Sequence, residues 1–294
     1  MMALPAPGSA QVNTVREVRP GVFFHEGDSR LGHCNNGWVV FEDHVLVIDA
    51  NYPSGAQVIM PKVRETSDKP VRIVFDTHHH ADHTYGNRLW ADAGALLVAT
   101  VSAAEQMDLI EPAAWNARAQ GRPDMKATSL KRPNVLFDQE LLFEDNVRRV
   151  ELHWFGVGHT KGDGYAWLPK EKVLFTGDAC VNGAFNNVRD GDVGAWIKTL
   201  EIVKQLGAEV VCPGHGPIGG PEIIADQQQF FIELTKRVQA LRNAGRSAAE
   251  AKAAVSTMTA ELKAIGPISR YVGGGLADQA GKVWTELGGE PFPP

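Results

Sequence analysis

Positions 77–83 read T-H-H-H-A-D-H, and the run V-R-I-V-F-D at 71–76 leads into them. Four of the chain's ten histidines fall inside six residues. A β-branched apolar run that stops at a polar loop reads as a strand delivering its side chains to a sheet edge. On extended backbone, residues i and i+2 point the same way. His78 and His80 can therefore grip one ion together, with His79 between them. Asp82 and His83 lie past a bend and can face a second ion. Imidazole and carboxylate donors suit zinc, which accepts tetrahedral or five-coordinate geometry. The competing reading is a surface loop that is histidine-rich by accident.

Three further donors sit at strand-to-loop junctions downstream. G-V-G-H-T at 156–160 offers His159, F-T-G-D-A at 175–179 offers Asp178, and C-P-G-H-G at 212–216 offers His215 between glycines that permit tight turns. Four loops that each follow a strand can converge at one edge of a layered sheet structure.

Outward from these loops, the short apolar runs at 22–26, 38–42 and 45–49 are separated by turn residues and predict an antiparallel meander. Helices are expected over 54–66, 86–93 and 102–119, with a strand at 95–99 and a proline-bounded surface excursion at 122–133. The second half predicts strands at 149–155, 164–168, 172–176 and 209–212, and a helix at 195–206. From Pro221 the pattern turns helical: Phe230, Leu234, Val238 and Leu241 keep a three-to-four spacing, and an alanine-rich helix is expected over 248–265. The division expected is a flexible N-terminal segment over 1–20, a catalytic domain over 21–220, and C-terminal helices over 221–294 packed on the same domain.

Apolar content of 44% and charged content of 22% are ordinary for a globular chain of 294 residues. A net charge of −6 argues against a nucleic-acid backbone as partner, and no apolar run is long enough for a membrane span. Cys34, Cys180 and Cys212 are too few and too scattered for a disulfide framework or a thiolate zinc cluster. The N-terminus, M-M-A-L-P-A-P-G-S-A-Q, lacks the basic flank and apolar length of a signal peptide. The compartment is expected to be periplasmic or extracellular if such a segment was removed upstream, and cytoplasmic otherwise. Oligomeric state is not readable.

H-x-H-x-D-H, G-H-T, T-G-D and P-G-H-G, in this order over residues 20–220, resemble the metallo-β-lactamase-fold superfamily. The resemblance implies an α/β fold, a four-layer αββα sandwich with a two-metal site at one edge, here carrying extra C-terminal helices. It implies that His78, His80 and His159 bind the first of two zinc ions, that Asp82, His83 and His215 bind the second, and that Asp178 bridges both. Asp82 would also orient the nucleophile and carry its proton. The implied activity is hydrolysis of a small cyclic or activated acyl substrate by hydroxide held between the ions. The hairpin at 158–178, with its W-L-P turn, and D-G-D-V-G-A-W at 190–196 resemble true zinc β-lactamases. Two departures qualify this. The subclass with this hairpin carries cysteine where Asp178 stands, and a carboxylate-anchoring lysine where Val181 stands. The ligand set instead resembles glyoxalase II and lactone hydrolases, so lactonase or thioesterase activity is the alternative. An iron persulfide-oxidising relative fits less well, because the second-metal donors are complete. His33 in the flap-like loop 27–36, Tyr165, Asn186 and Asn187 are expected to meet the substrate. Cys180 and Cys212 are expected to be core thiols.

Overall fold

The computed structural model describes residues 12–293. Two sheets stack face to face. The first is built by β1 (Val15–Arg19), β2 (Val22–His25), β3 (Asn36–Val40), β4 (Val45–Ile48), β5 (Val71–Phe75), β6 (Leu96–Thr100) and β7 (Val135–Phe137), in that spatial order. Its first four strands form an antiparallel meander, and β4 through β7 run parallel. The second sheet contains β8 (Glu140–Glu144), β9 (Arg149–Trp154), β10 (Gly164–Leu168), β11 (Val173–Gly177) and β12 (Val210–Pro213), ordered β12-β11-β10-β9-β8. Only the β11–β12 pair is parallel in it.

The parallel strands need crossovers, and helices supply most of them. α1 (Pro53–Thr66) links β4 to β5. The short α2 (Ala81–Thr84) and α3 (Asn87–Asp92) link β5 to β6. α4 (Val101–Ala119) and α5 (Pro123–Lys126) precede β7, and α6 (Val193–Lys204) joins β11 to β12. The chain then ends in α7 (Glu222–Asn243), α8 (Ala248–Ala253), α9 (Val255–Lys263) and α10 (Leu276–Glu286).

Period-two alternation sorts the side chains into layers. Leu46 and Ile48 turn into the space between the sheets with Phe75, Leu152, Ala166 and Phe175. Val45 and Val47 on the same strand turn outward, onto Ile59 and Val63 of α1 and Trp90 of α3. On the far side, Tyr165, Trp167 and Leu174 meet Trp196 of α6, Phe230 and Phe231 of α7, and Trp284 of α10. The order is helix, sheet, sheet, helix, the αββα sandwich that the resemblance implies. The C-terminal helices share one apolar core with the second sheet.

Several local expectations need correction. Val15–Arg19, expected to be flexible, pairs antiparallel with β2, while residues 1–11 lie outside those described. The strands β7 and β8 were not anticipated, because both are edge strands whose exposed residues dilute the apolar pattern. The helix expected over 248–265 divides at Ala254. The excursion at 122–133 carries α5, whose Met125 packs with Tyr52 and Tyr85 and is buried.

Candidate metal centre

The seven donors converge from four loops at one edge of the sandwich. His78 and His80 follow β5, Asp82 and His83 belong to α2, His159 follows β9, Asp178 follows β11, and His215 follows β12. The loop after β5 is tied down by its neighbour after β4: the His83 carbonyl accepts from the Ala50 and Asn51 amides at 2.7 and 3.2 Å. Two glycines allow the loops to close. A Cβ on Gly177, whose φ is +49°, would lie 2.2 Å from Thr77 Oγ1, and one on Gly214 would lie 2.1 Å from Asp178 Oδ1.

The first group of donors is His78, His80 and His159. His80 Nδ1 lies 3.1 Å from His78 Nε2 and 2.9 Å from His159 Nε2. The second is Asp82, His83 and His215, with His215 Nε2 3.0 Å and His83 Nε2 3.7 Å from Asp82 Oδ2. Asp178 stands between them: Oδ2 is 3.7 Å from His159 Nε2 and 3.5 Å from His215 Nε2, and Oδ1 is 3.3 Å from His83 Nε2. Donor atoms of His78, His83 and Asp178 also lie within 4.8 Å of one another.

The outer face of each imidazole decides what its inner face can do. His159 Nδ1 is 2.8 Å from the Asn187 carbonyl, which can only accept, so Nδ1 carries the proton. His80 Nε2 donates to Asp190 Oδ2 at 2.9 Å, and His83 Nδ1 to Asp49 Oδ2 at 2.8 Å. Thr77 Oγ1 gives its own proton to Asp49 and so accepts from His78 Nδ1 at 3.1 Å. In the neutral rings, all four inner nitrogens then present lone pairs. Lone pairs facing one another at 2.9–3.1 Å repel unless a cation lies between them. His83 Nε2 and Asp178 Oδ1 are buried and lack a hydrogen-bond partner, although only 3.3 Å separates them. This donor set fits metal ions, and the outer acceptors are the groups that fix ring tautomers at such sites.

Electrostatics agree with the geometry. Burial alone would raise Asp82, but His83 and His215 pull it down to about 2. Burial is likewise overridden at Asp178 by His215 and His83, which hold it ionised well below the usual carboxylate range. Burial, then the neighbouring rings, press His78 far down and His159 down to about 3. His83 and His215 shift the other way: burial disfavours their charge, yet the groups around them, Asp178 and Asp82 included, raise both.

The four expected substrate contacts fare differently. His33 is buried and bonds Ser54 Oγ at 2.9 Å, so it ties the loop 27–36 to the start of α1. Tyr165 is fully buried on the helix-covered face of β10, and its hydroxyl is out of reach of any substrate. Asn186 is buried, its side-chain amide unpartnered among the described residues. Asn187 is exposed and serves His159 through its carbonyl, while its side-chain oxygen accepts from the Arg189 amide. Val181 is also fully buried, so its side chain is not at the position of a substrate anchor. Cys180 and Cys212 are core thiols, as expected.

Asp49, Asp190 and Thr77 were missed as functional residues. The one local signal was Asp49, an aspartate closing the apolar run of β4, whose φ of +64° lies in the left-handed region. His79, the intervening residue, is buried with neither ring nitrogen hydrogen-bonded, 4.0 Å from both Glu111 and Asp190.

The αββα sandwich gathers histidines and aspartates at one edge, in groups whose donor atoms could hold metal ions. The family model described as the metallo-beta-lactamase superfamily matches residues 29–215, and the chain belongs to that superfamily. The metallo-beta-lactamase type 2 of Bacteroides fragilis is 33% identical over 120 residues, 38% of this chain and 48% of that enzyme. The Bacillus cereus enzyme of the same name is 28% identical over 221 residues, 70% of this chain and 77% of its own. A metallo-beta-lactamase from Pontibacter korlensis shares the fold with a TM-score of 0.61 at 20% identity, covering 74% of this chain and 98% of that one. The helices α7 to α10 lie beyond the family match.

Proposed function

We propose that the protein is a dizinc hydrolase that opens a small cyclic or activated acyl substrate, with β-lactams as the leading class. The observation that carries this reading is the set of four imidazoles whose outer nitrogens are all held by acceptors, leaving four inner nitrogens turned to the centre as possible metal donors. Two groups of donors with Asp178 between them support a count of two ions. The names of the sequence relatives support the lactam class. The absence of a cation at buried Val181 favours a second reading, lactone or thioester hydrolysis, in which no carboxylate needs anchoring there.

In this reading His78, His80 and His159 hold the first ion and Asp82, His83 and His215 the second, with Asp178 shared. When bound, such a pair supplies Lewis acidity and makes hydroxide available near neutral pH. The residues do the rest. Asp82 is the most solvent-open carboxylate of the seven donors, its side chain 25% exposed, and only 3.0 Å from His215 Nε2. Its carboxylate would orient the attacking water and accept its proton, then return that proton to the leaving group. Asp49, Asp190, Thr77 and the Asn187 carbonyl keep the rings in one tautomer throughout. Phe185, 40% exposed and stacked on His215 at 5.4 Å, offers an apolar surface for the acyl portion.

The test is elemental analysis of protein purified without chelator, followed by a panel of nitrocefin, homoserine lactones and thioesters. Close to two zinc ions per chain and turnover of at least one class are expected. A content near one that zinc supplementation cannot raise overturns the dinuclear assignment, and a silent panel at full loading overturns the reaction.

A further inference from the structure

A sizeable groove lies away from the seven metal donors, none of which lines it. It is an open groove of about 860 Å³ between the loop 184–189, α10 and the stretch 291–293. Its size is that of a small-molecule site. The near wall belongs to the loop that touches both halves of the metal centre: Phe185 stacks on His215, the Asn187 carbonyl holds His159, and Arg189 adjoins Asp190, the partner of His80. The far wall comes from α8 and α10, so a ligand held there would meet residues outside the segment that the family model matches.

Three cations line the groove, Arg189, Lys252 and Lys282, against one acid, Asp278. Two of them have a carboxylate neighbour, Asp190 for Arg189 and Glu286 for Lys282, and Lys252 has none among the described residues. Lys252 Nζ reaches only the Pro293 carbonyl, at 2.6 Å, and has no carboxylate within ion-pair distance among the described residues. Lys282 Nζ reaches the Arg189 carbonyl at 3.4 Å and lies 3.9 Å from Glu286. Arg189 is 65% exposed in its side chain, and its Nε and Nη2 donate to Asp190 Oδ2 at 3.4 and 3.3 Å. Beneath them lie two buried amides, Asn186 and Gln279. Gln279 Nε2 donates to the Asn186 carbonyl at 2.6 Å, while Gln279 Oε1 and both polar atoms of the Asn186 side chain have no partner among the described residues. Polar groups buried without partners are costly, and they cluster where a ligand or ordered water completes them.

We propose that this groove is a subsite for the carboxylate-bearing arm of the substrate, with Arg189, Lys252 and Lys282 as its anion-recognising groups and the Asn186–Gln279 pair as its polar floor. It supplies from the C-terminal helices the anchoring cation that position 181 lacks. The inference rests on the hydrolase reading for the identity of the ligand as substrate, but not for the existence of the site.

The experiment has two arms. In the first, glutarate and its neutral diamide are titrated into ¹⁵N-labelled zinc-loaded protein, following the backbone amides of Asn186, Arg189 and Gln279. Glutarate is expected to shift them saturably and the diamide is not. Lys252→Glu and Lys282→Glu should each weaken glutarate by about tenfold, as loss of a charge-assisted contact does. The milder Lys282→Gln should fall between, with circular dichroism verifying the fold. Glutarate binding that survives both reversals, or a diamide that binds equally, overturns the subsite. In the second arm, a hydrolysed substrate is compared with its methyl ester. The ratio of kcat/KM between acid and ester should drop about tenfold in Lys282→Glu, through KM. A ratio that does not move overturns the assignment to substrate. If no panel compound is hydrolysed but glutarate binds in the groove, the reaction falls and the anion site stands.

Discussion

Replacing Asp190 by alanine isolates the contribution of an outer acceptor, because Asp190 holds one ring of the first donor group and is not itself one of the seven donors. Its Oδ2 accepts from His80 Nε2 at 2.9 Å, and its side chain is only 14% exposed, so water competes weakly for the contact. A hydrogen bond to a charged group is worth about 1.5–3 kcal/mol. At about 1.4 kcal/mol per decade, that is one to two decades in the affinity of the ion that His80 helps to hold. The same range, roughly 10–100-fold, is the usual consequence of losing a partner of a metal-bound imidazole. His83 keeps Asp49, and none of Asp82, His83 and His215 loses a contact, so the second group of donors is untouched. Titration of metal-free protein with zinc against a chromophoric chelator should therefore show one step weakened by one to two decades and the other within a few-fold of wild type. Arg189→Ala is the control, since it removes a neighbour of Asp190 without removing the His80 contact. Equal weakening of both steps, or of neither, would refute the division of the seven donors into two groups with separate supports.

Asp82→Asn should keep the fold and lose on the order of 10²–10⁴-fold in turnover, because an amide cannot accept the proton; steady-state rates at verified metal loading check it, and activity within a few-fold of wild type removes Asp82 from the mechanism. Zinc uptake should release protons, since His83 and His215 have raised pKa values and must lose their inner protons to bind. A raised histidine pKa stabilises the metal-free fold fully below the unfolded value of about 6.5 and less as pH climbs through the folded value. The Tm of metal-free protein should accordingly fall as pH climbs above about 6.5, while zinc-loaded protein stays level; a metal-free Tm that rises above that pH contradicts the assignment. Tyr165→Phe should be neutral or slightly stabilising with turnover within about twofold, because it deletes a buried hydroxyl that has no partner. Thermal melts and steady-state rates test it, and a loss of more than tenfold in kcat would place the hydroxyl in the reaction after all.

What the chain's own order of residues determined is the set of donors and the strands that deliver them. The seven donors stand in short motifs, each directly after an apolar run, and both features are local: i and i+2 geometry pairs His78 with His80, and turn glycines flank His215. The helical periods of α1, α6 and α7 were legible for the same reason, since one face of each is apolar at three-to-four spacing. The edge strands β7 and β8 were not, because exposure on one or both faces erases the alternation that marks a strand. Nor could sequence distinguish the Tyr165 side of β10 from the site side. Period-two alternation says that Tyr165 and Ala166 face opposite ways; only the stacking of α6 and α7 on one face decides which of them lies under helices and which lies between the sheets. The outer acceptors are the clearest case. Asp190 meets His80 across 110 residues and Asp49 meets His83 across 34, contacts that exist only because two sheets align their loop edges. A carboxylate that fixes a tautomer has no spacing rule to betray it, because its position is set by packing between layers rather than by the geometry of one strand or helix.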